Sequence, residues 1–271
     1  MSVEKELRLR AYLRKADSAL IAFSGGVDST YLLKVAHDEL GDRALAATAV
    51  SCLTPAGELD CACEFCEREG IELIVERDLA PLDVPGFAEN TSERCYLCKT
   101  ALMTVFKELA RARGVAHVFD GSNCDDTGDW RPGLRAVREQ SVESPLIECG
   151  FYKDDIRTRA RALGLDVWDK PSAACLASRV RTGEPITSQR LELIDAAERY
   201  LRDLGLRQLR VRLLREGPAG AVARIEADEE GRALLAAAPE LRPQVIAALL
   251  DLGFGEVEPD IAPYRSGAMN A

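Results

Sequence analysis

Residues 24–29 read Ser24-Gly25-Gly26-Val27-Asp28-Ser29. This glycine-rich stretch joins an apolar run of strand length, 18–23 (SALIAF), to a segment with apolar residues at helical spacing, 29–40 (STYLLKVAHDEL). A buried strand that turns straight into a helix is the opening unit of an α/β fold. Two adjacent glycines let the backbone turn tightly with its N–H groups pointing inward, and the helix N-terminus adds partial positive charge at the same place. An anion belongs there. A loop of the form G-x-x-x-x-G-K-[ST] carries a lysine to the β- and γ-phosphates for phosphoryl transfer, whereas SGGVDST holds none. Small residues also make ordinary strand-to-helix turns. The preceding strand and the Asp28-Ser29 pair favour the phosphate reading.

Working outward, helix signals at 3–16, 29–40 and 57–69 alternate with strand signals at 19–23, 44–50 and 72–76. This alternation predicts βαβ units and a parallel sheet. A polar stretch over 80–94 precedes a helix at 99–113, a strand at 115–120, a helix at 153–163 and a short strand at 166–168. Such a sheet binds ligands beyond the carboxyl ends of its strands. That singles out the 24–29 loop, residues 50–54 with Ser51, and residues 120–133. A boundary is expected in the Pro- and Gly-containing loop 170–187. It divides a Rossmann-like α/β domain over 1–180 from a smaller α+β domain over 181–271. The latter is expected to contain helices at 188–204, 228–238 and 242–250, strands at 208–214 and 220–225, and a flexible tail from 259 onward.

The chain has 271 residues and a formal net charge of −10. That field repels a polyphosphate backbone, so nucleic acid is not expected as an obligatory partner and a small-molecule substrate is. No apolar stretch approaches the roughly 18 residues of a membrane span, and the charged N-terminus does not read as a signal peptide. A cytoplasmic homo-oligomer is expected. Between Arg179 and Arg215, however, nine arginines face five acids. An anionic substrate group can dock there, although most of these arginines are expected on a solvated helix face.

The segment 120–133 (DGSNCDDTGDWRPG) places four aspartates and Asn123 after a strand, a set able to position magnesium and ribose hydroxyls, or to cap a turn. Nine cysteines in a cytosolic protein read as thiols, metal ligands or catalysts rather than disulfides. Cys63 and Cys66 share a helix face beside Cys61, compatible with a metal site but better explained by core packing. Cys52, Cys124 and Cys149 are isolated. Cys95 and Cys98 form C-x-x-C where a polar loop enters a helix, and Cys175 lies at the expected boundary, a position suited to a reactive thiol.

Six segments together resemble the LarE family of ATP-dependent sulfur transferases, within the PP-loop ATP pyrophosphatase superfamily of adenine nucleotide alpha hydrolase type. They are SGGVDST (24–30), RCYLCK (94–99), DGSNCDDTGDWRPG (120–133), SPLIECGFYKDDIR (144–157), KPSAACLASR (170–179), and Arg210 with Arg212 before ARIE (223–226). The resemblance implies that ATP is split between its α- and β-phosphates, with Mg2+, to adenylate a carboxylate of pyridinium-3,5-biscarboxylic acid mononucleotide, which then becomes a thiocarboxylate. It implies ATP binding by Ser24, Gly25, Gly26, Asp28, Ser29, Ser51, Asn123 and Asp126, with Asp28, Ser29 and Cys175 catalytic. Arg179, Arg210 and Arg212 would meet the substrate phosphate, and Glu198 and Glu226 are candidate ligands of a second metal. Arg210 and Arg212 alternate by two and so leave a strand on one face. A short insertion at 215–219 separates Arg212 from Glu226.

Two sulfur sources fit the family. A lone cysteine at the position of Cys175 can give up its own sulfur, or Cys95, Cys98 and Cys175 can hold a [4Fe-4S] cluster whose open iron carries exchangeable sulfide from a donor. All three cysteines are present, which favours the cluster. Thiolation of tRNA by a related enzyme is disfavoured by the acidic charge and the lack of a basic appendage. A non-catalytic ATP sensor would explain the loop but not KPSAACLASR.

Overall fold

The computed structural model describes residues 2–128, 132–171 and 174–265. Residues 129–131 of the acidic segment, 172–173 of KPSAACLASR, and 266–271 of the expected tail lie outside them. The chain forms two compact units and passes repeatedly between them. Unit 1 comprises Met1–Ser51, Gly57–Ala80 and Cys95–Lys170; unit 2 comprises Cys52–Ala56, Pro81–Arg94 and Pro171–Ala271.

In chain order the elements are α1 (Ser2–Leu13), β1 (Ala19–Ala22), α2 (Val27–Leu40), β2 (Ala44–Ala49), α3 (Glu58–Glu69), β3 (Leu73–Glu76), α4 (Arg94–Ala112), β4 (His117–Phe119), α5 (Pro132–Glu139), α6 (Pro145–Glu148) and α7 (Lys153–Ala162). Next come α8 (Ser188–Asp203), β5 (Leu209–Gly217), β6 (Gly220–Ala227), α9 (Glu229–Ala237), α10 (Leu241–Leu252), β7 (Glu256–Val257) and β8 (Ala262–Pro263).

Unit 1 is built on a fully parallel sheet in the order β3-β2-β1-β4. Strand alternation sends Ala19 and Ile21 into a core with α1, α2 and α7, while Leu20 meets Met103, Phe106 and Ala110 of α4. Because β1 pairs with both β2 and β4, the loop leaving β1 lies beside the segment leaving β4. The expected strand over 166–168 is instead a 3-10 turn, Asp166–Asp169. Its backbone is satisfied locally, with Trp168 N donating to Leu165 O at 3.1 Å and Lys170 N to Val167 O at 3.0 Å. Val167 and Trp168 reach the core from that turn, so their apolar character did not require a strand.

Helix α4 starts at Arg94 rather than 99, which places Cys95 and Cys98 in its first turns instead of in a loop. Arg94 is 5% exposed, and its guanidinium donates to Asn90 Oδ1. In unit 2, β5 and β6 form an antiparallel hairpin with β7 and β8 parallel to β6. Residues 215–217 continue β5 past a bulge, so the insertion lengthens the hairpin. The expected tail includes β8, held where Tyr264 N donates to Ala227 O at 2.9 Å. Asn90 is fully buried at φ 55° and donates to the carbonyls of Arg181 and Glu184, each at 2.8 Å. Among the described residues no single helix is long and apolar enough to cross a membrane.

Candidate active site

The phosphate loop is set by one left-handed residue and one hydroxyl. Gly25 has φ +70°, a conformation that side chains disfavour, and Gly26 caps α2 in extended geometry. Ser29 is 4% exposed; its Oγ donates to Gly26 O at 3.1 Å and accepts from Ser24 N at 3.3 Å, with Ser24 Oγ 3.1 Å away. The serine thus ties the loop to the first turn of α2. Gly121, following β4, approaches so closely that a Cβ there would lie 3.0 Å from Ser29 N and 3.1 Å from its Cα.

Between these segments lies a cavity of about 170 Å³ lined by Ser24, Gly26, Asp28, Ser29, Lys99, Asp120 and Asp126 among others. Lys99 from α4 brings a positive charge to it, 3.6 Å from Asp120 Oδ2. Asp120 is 2% exposed and held by the hydroxyls of Ser122 and Ser144, each at 2.6 Å. Asn123 does not line the cavity. It is a cap: its Oδ1 accepts from Asp125 N at 2.9 Å, while Asn123 N donates to Asp126 Oδ2 at 2.9 Å. Its work is to hold the 3-10 turn that presents Asp126. Ser51 lies in the turn after β2 and does not line the cavity either.

Two more lysines serve the loop from afar. Lys153 Nζ donates to Asp28 Oδ2 at 2.6 Å, and Lys170 Nζ donates to Gly25 O at 3.2 Å and Glu58 Oε2 at 2.8 Å. Burial raises the Asp28 carboxyl, and nearby Asp126 adds to that, against the pull of Lys153. Asp28 Oδ1 is buried with no hydrogen-bond partner. An unpaired carboxylate oxygen beside a second carboxylate fits a hard divalent cation, so Asp28 and Asp126 are the residues suited to Mg2+.

The cysteines separate by environment. Cys95 is exposed and Cys98 half-buried on α4, and Cys175 in unit 2 is exposed. Cys66 packs in the core of unit 1, where burial pushes its thiol up to about 12. Among the described residues no group of three or more His, Cys, Asp or Glu side chains is arranged to hold a metal ion.

Unit 2 carries the arginines. Arg179 is 1% exposed, and its Nε and Nη2 meet Glu198 Oε1 and Oε2 at 2.8 and 3.1 Å. Arg212 meets Glu226 Oε2 through Nε at 3.0 Å and Nη2 at 2.9 Å, and donates to the carbonyls of Ser178 and Arg265. Arg210, two residues along the same strand, donates to Leu209 O at 2.6 Å and stacks 5.3 Å over the Tyr264 ring. Burial, together with the Arg179 charge and against that of Glu198, lowers its guanidinium to about 10. A buried arginine under this pressure gains from a bound anion.

Comparison with known proteins bears on this geometry. No family profile matches the chain. It is 40% identical over 264 residues to an uncharacterized protein of Synechocystis, covering 97% of this chain and 95% of that one. It is 35% identical over 267 residues to the pyridinium-3,5-bisthiocarboxylic acid mononucleotide synthase of Lactiplantibacillus plantarum, covering 98% and 94%. The chain belongs to the LarE-like family of PP-loop ATP pyrophosphatases. A GMP synthase of Aeropyrum pernix is similar over a shorter span, 27% identical across 68% of this chain and 39% of its own. This LarE-like chain has the α/β fold expected of it, with the four-stranded parallel sheet of unit 1 and the mixed sheet of unit 2.

In this LarE-like site the cations were the hardest part to foresee. Lys99 follows Cys98 directly, and Lys153 and Lys170 stand inside two of the quoted motifs, so each was visible as a residue. What the sequence lacked was the long-range folding that brings them to the loop.

Proposed function

We propose that this protein uses ATP to adenylate a carboxylate of pyridinium-3,5-biscarboxylic acid mononucleotide and then converts it to a thiocarboxylate. The observation that carries the reading is a lysine-free phosphate loop in a chain 35% identical, along nearly its whole length, to a synthase of that thiocarboxylate product.

The residues of unit 1 divide the first half-reaction among them. The N–H groups at the start of α2 and the Ser29 hydroxyl hold the departing pyrophosphate. The substrate carboxylate oxygen bonds to the α-phosphorus as the bridging oxygen leaves with pyrophosphate. Lys99 faces the charge that develops, and Lys153 keeps Asp28 oriented. Mg2+ on Asp28 and Asp126 supplies further charge neutralisation when bound. In unit 2, Arg210 receives the substrate phosphate, and Arg212, whose nitrogens all meet protein acceptors, stands two residues along the same strand. Sulfur then bonds to the acyl carbon and AMP leaves. The proposed sulfur source is sulfide from a donor; Cys95, Cys98 and Cys175 would be the ligands of a [4Fe-4S] cluster, which when bound would supply that sulfide in exchangeable form.

Pyrophosphate release that depends on the pyridinium mononucleotide tests the first half. ATP binding without turnover would instead indicate a sensor, and a thiolated base in reconstituted tRNA would indicate an RNA substrate. Anaerobic purification with iron and sulfide analysis, plus intact mass before and after turnover, tests the second. An iron-free protein whose Cys175 loses its sulfur during turnover would replace the cluster with sacrificial transfer.

A further inference from the structure

We infer that Arg179 and Glu198 form a buried strut that fixes the backbone of Cys175, and so act as positioning residues for sulfur delivery rather than as ligands of substrate or metal. The inference rests on the proposed role of Cys175 in that step.

The geometry is closed on both sides. Glu198 is fully buried on α8. Besides the two bonds from Arg179, it accepts from Arg202 Nη2 at 2.9 Å and from Val211 N of β5 at 3.1 Å. Four donors match the lone-pair capacity of a carboxylate, which leaves none for a cation. The remaining arm of Arg179 folds back along its own chain. Its Nη1 lies 2.5 Å from Ala174 O, 2.9 Å from Cys175 O and 3.0 Å from Ser178 Oγ. The guanidinium is therefore engaged by protein acceptors at every nitrogen.

That arm lands on the carbonyl of the reactive-cysteine candidate itself. Cys175 O also accepts from Ser178 N at 3.0 Å, and Leu176 N donates to Leu53 O at 2.9 Å. Leu176 and Ala177 are 2% and 0% exposed, whereas Cys175 is exposed. The result is an exposed cysteine whose backbone is held by buried neighbours. A buried ion pair is a poor way to gain stability, since desolvating two charges offsets most of their attraction. It is a good way to hold one conformation, and a nucleophile or ligand displaced by about 1 Å loses about 100-fold in rate.

The test uses the full-length protein with Glu198→Gln and Arg179→Lys. Three quantities are read: thiocarboxylate formed per pyrophosphate released, KM for the pyridinium mononucleotide in pyrophosphate release, and hydrogen exchange at the Leu176 and Ser178 amides. The strut predicts a coupling ratio lowered at least about tenfold, a KM within about threefold of wild type, and exchange at those amides accelerated about tenfold or more. A KM raised about tenfold with the coupling ratio intact would make Arg179 a substrate ligand and overturn the inference. So would both half-reactions falling in parallel with faster exchange throughout unit 2. If wild-type protein releases no pyrophosphate with this substrate, the proposed function fails, and the exchange rates still decide whether the strut exists: unchanged rates in the Glu198→Gln variant refute it.

Discussion

The nucleotide cavity of unit 1 and the arginine cluster of unit 2 would each receive a phosphate, yet they hold their charges differently. In the cavity the binding groups are not locked in ion pairs with buried partners on every side: backbone N–H groups at the start of α2, the Lys99 side chain at 31% exposure, and a buried Asp28 oxygen with no hydrogen-bond partner. In the cluster, Arg179 and Arg212 are each paired with a buried glutamate, and only about one-twentieth of Arg210 reaches the surface. The first arrangement is preorganised by backbone, which desolvation hardly penalises. The second is preorganised by ion pairs, which must be satisfied before any ligand arrives. A site of the first kind trades little stability for readiness. A site of the second kind meets its desolvation cost in the free protein.

Four measurements would break or sharpen that contrast. Lys99→Met should have the largest effect, lowering pyrophosphate release about 10²–10³-fold while ATP still binds, because one preorganised charge opposite the reacting phosphate is removed. Release within about threefold of wild type would mean that the backbone cradle suffices alone. Gly121→Val should follow, with a loss of about 100-fold, since the new side chain must displace the Ser29 backbone. Here the KM for ATP should rise as well, unlike in the lysine variant.

A third measurement asks whether unit 1 also relies on ion pairs away from its site. Glu6 is 6% exposed and receives hydrogen bonds from Arg159, Arg10 and Tyr31. Burial pushes its carboxyl up, but the two arginines outweigh that and hold it below the ordinary value. Its contribution is therefore fully present above the unfolded pKa of about 4.3 and disappears as pH falls through the lower, folded value. Glu6→Gln should cost about 2 kcal/mol at pH 7, and less as the pH drops below 4, by acid-dependent thermal unfolding. Arg210→Met should have the smallest effect and the opposite sign. Replacing a guanidinium that burial drives down to about 10 should raise stability by about 1 kcal/mol while weakening the substrate. A melting temperature that falls instead would show that the cluster is net stabilising and would end the contrast.

What the sequence revealed follows from how local each signal was. The glycine loop, the strand before it and the alternation of periods were readable because each is written within a few residues. The parallel pairing of the sheet follows from that alternation, whereas its order β3-β2-β1-β4 does not. The capping role of Asn123 was written just as locally, in the Asp126 three residues on, but the same residue types also suit ribose and magnesium. Residues 166–168 misled because three apolar-rich residues can reach a core from a turn as well as from a strand. The start of α4 was hidden because Arg94, at the end of the polar stretch 80–94, is held by Asn90, whose burial within a turn nothing local announces. The pairing of Arg179 with Glu198 spans 19 residues and two elements, and nothing local announces it.

The interleaving of the two units has a consequence for synthesis. As the chain leaves the ribosome, segments 52–56 and 81–94 appear well before residues 171–265, which complete their unit. Asn90 must wait for carbonyls 91 and 94 residues further along. Unit 2 is thus a late-closing structure whose segments alternate along the chain with those of an early-closing one, and a ribosome that stalls near codon 170 would present a chain whose first sheet is complete and whose two waiting segments have nothing to fold against.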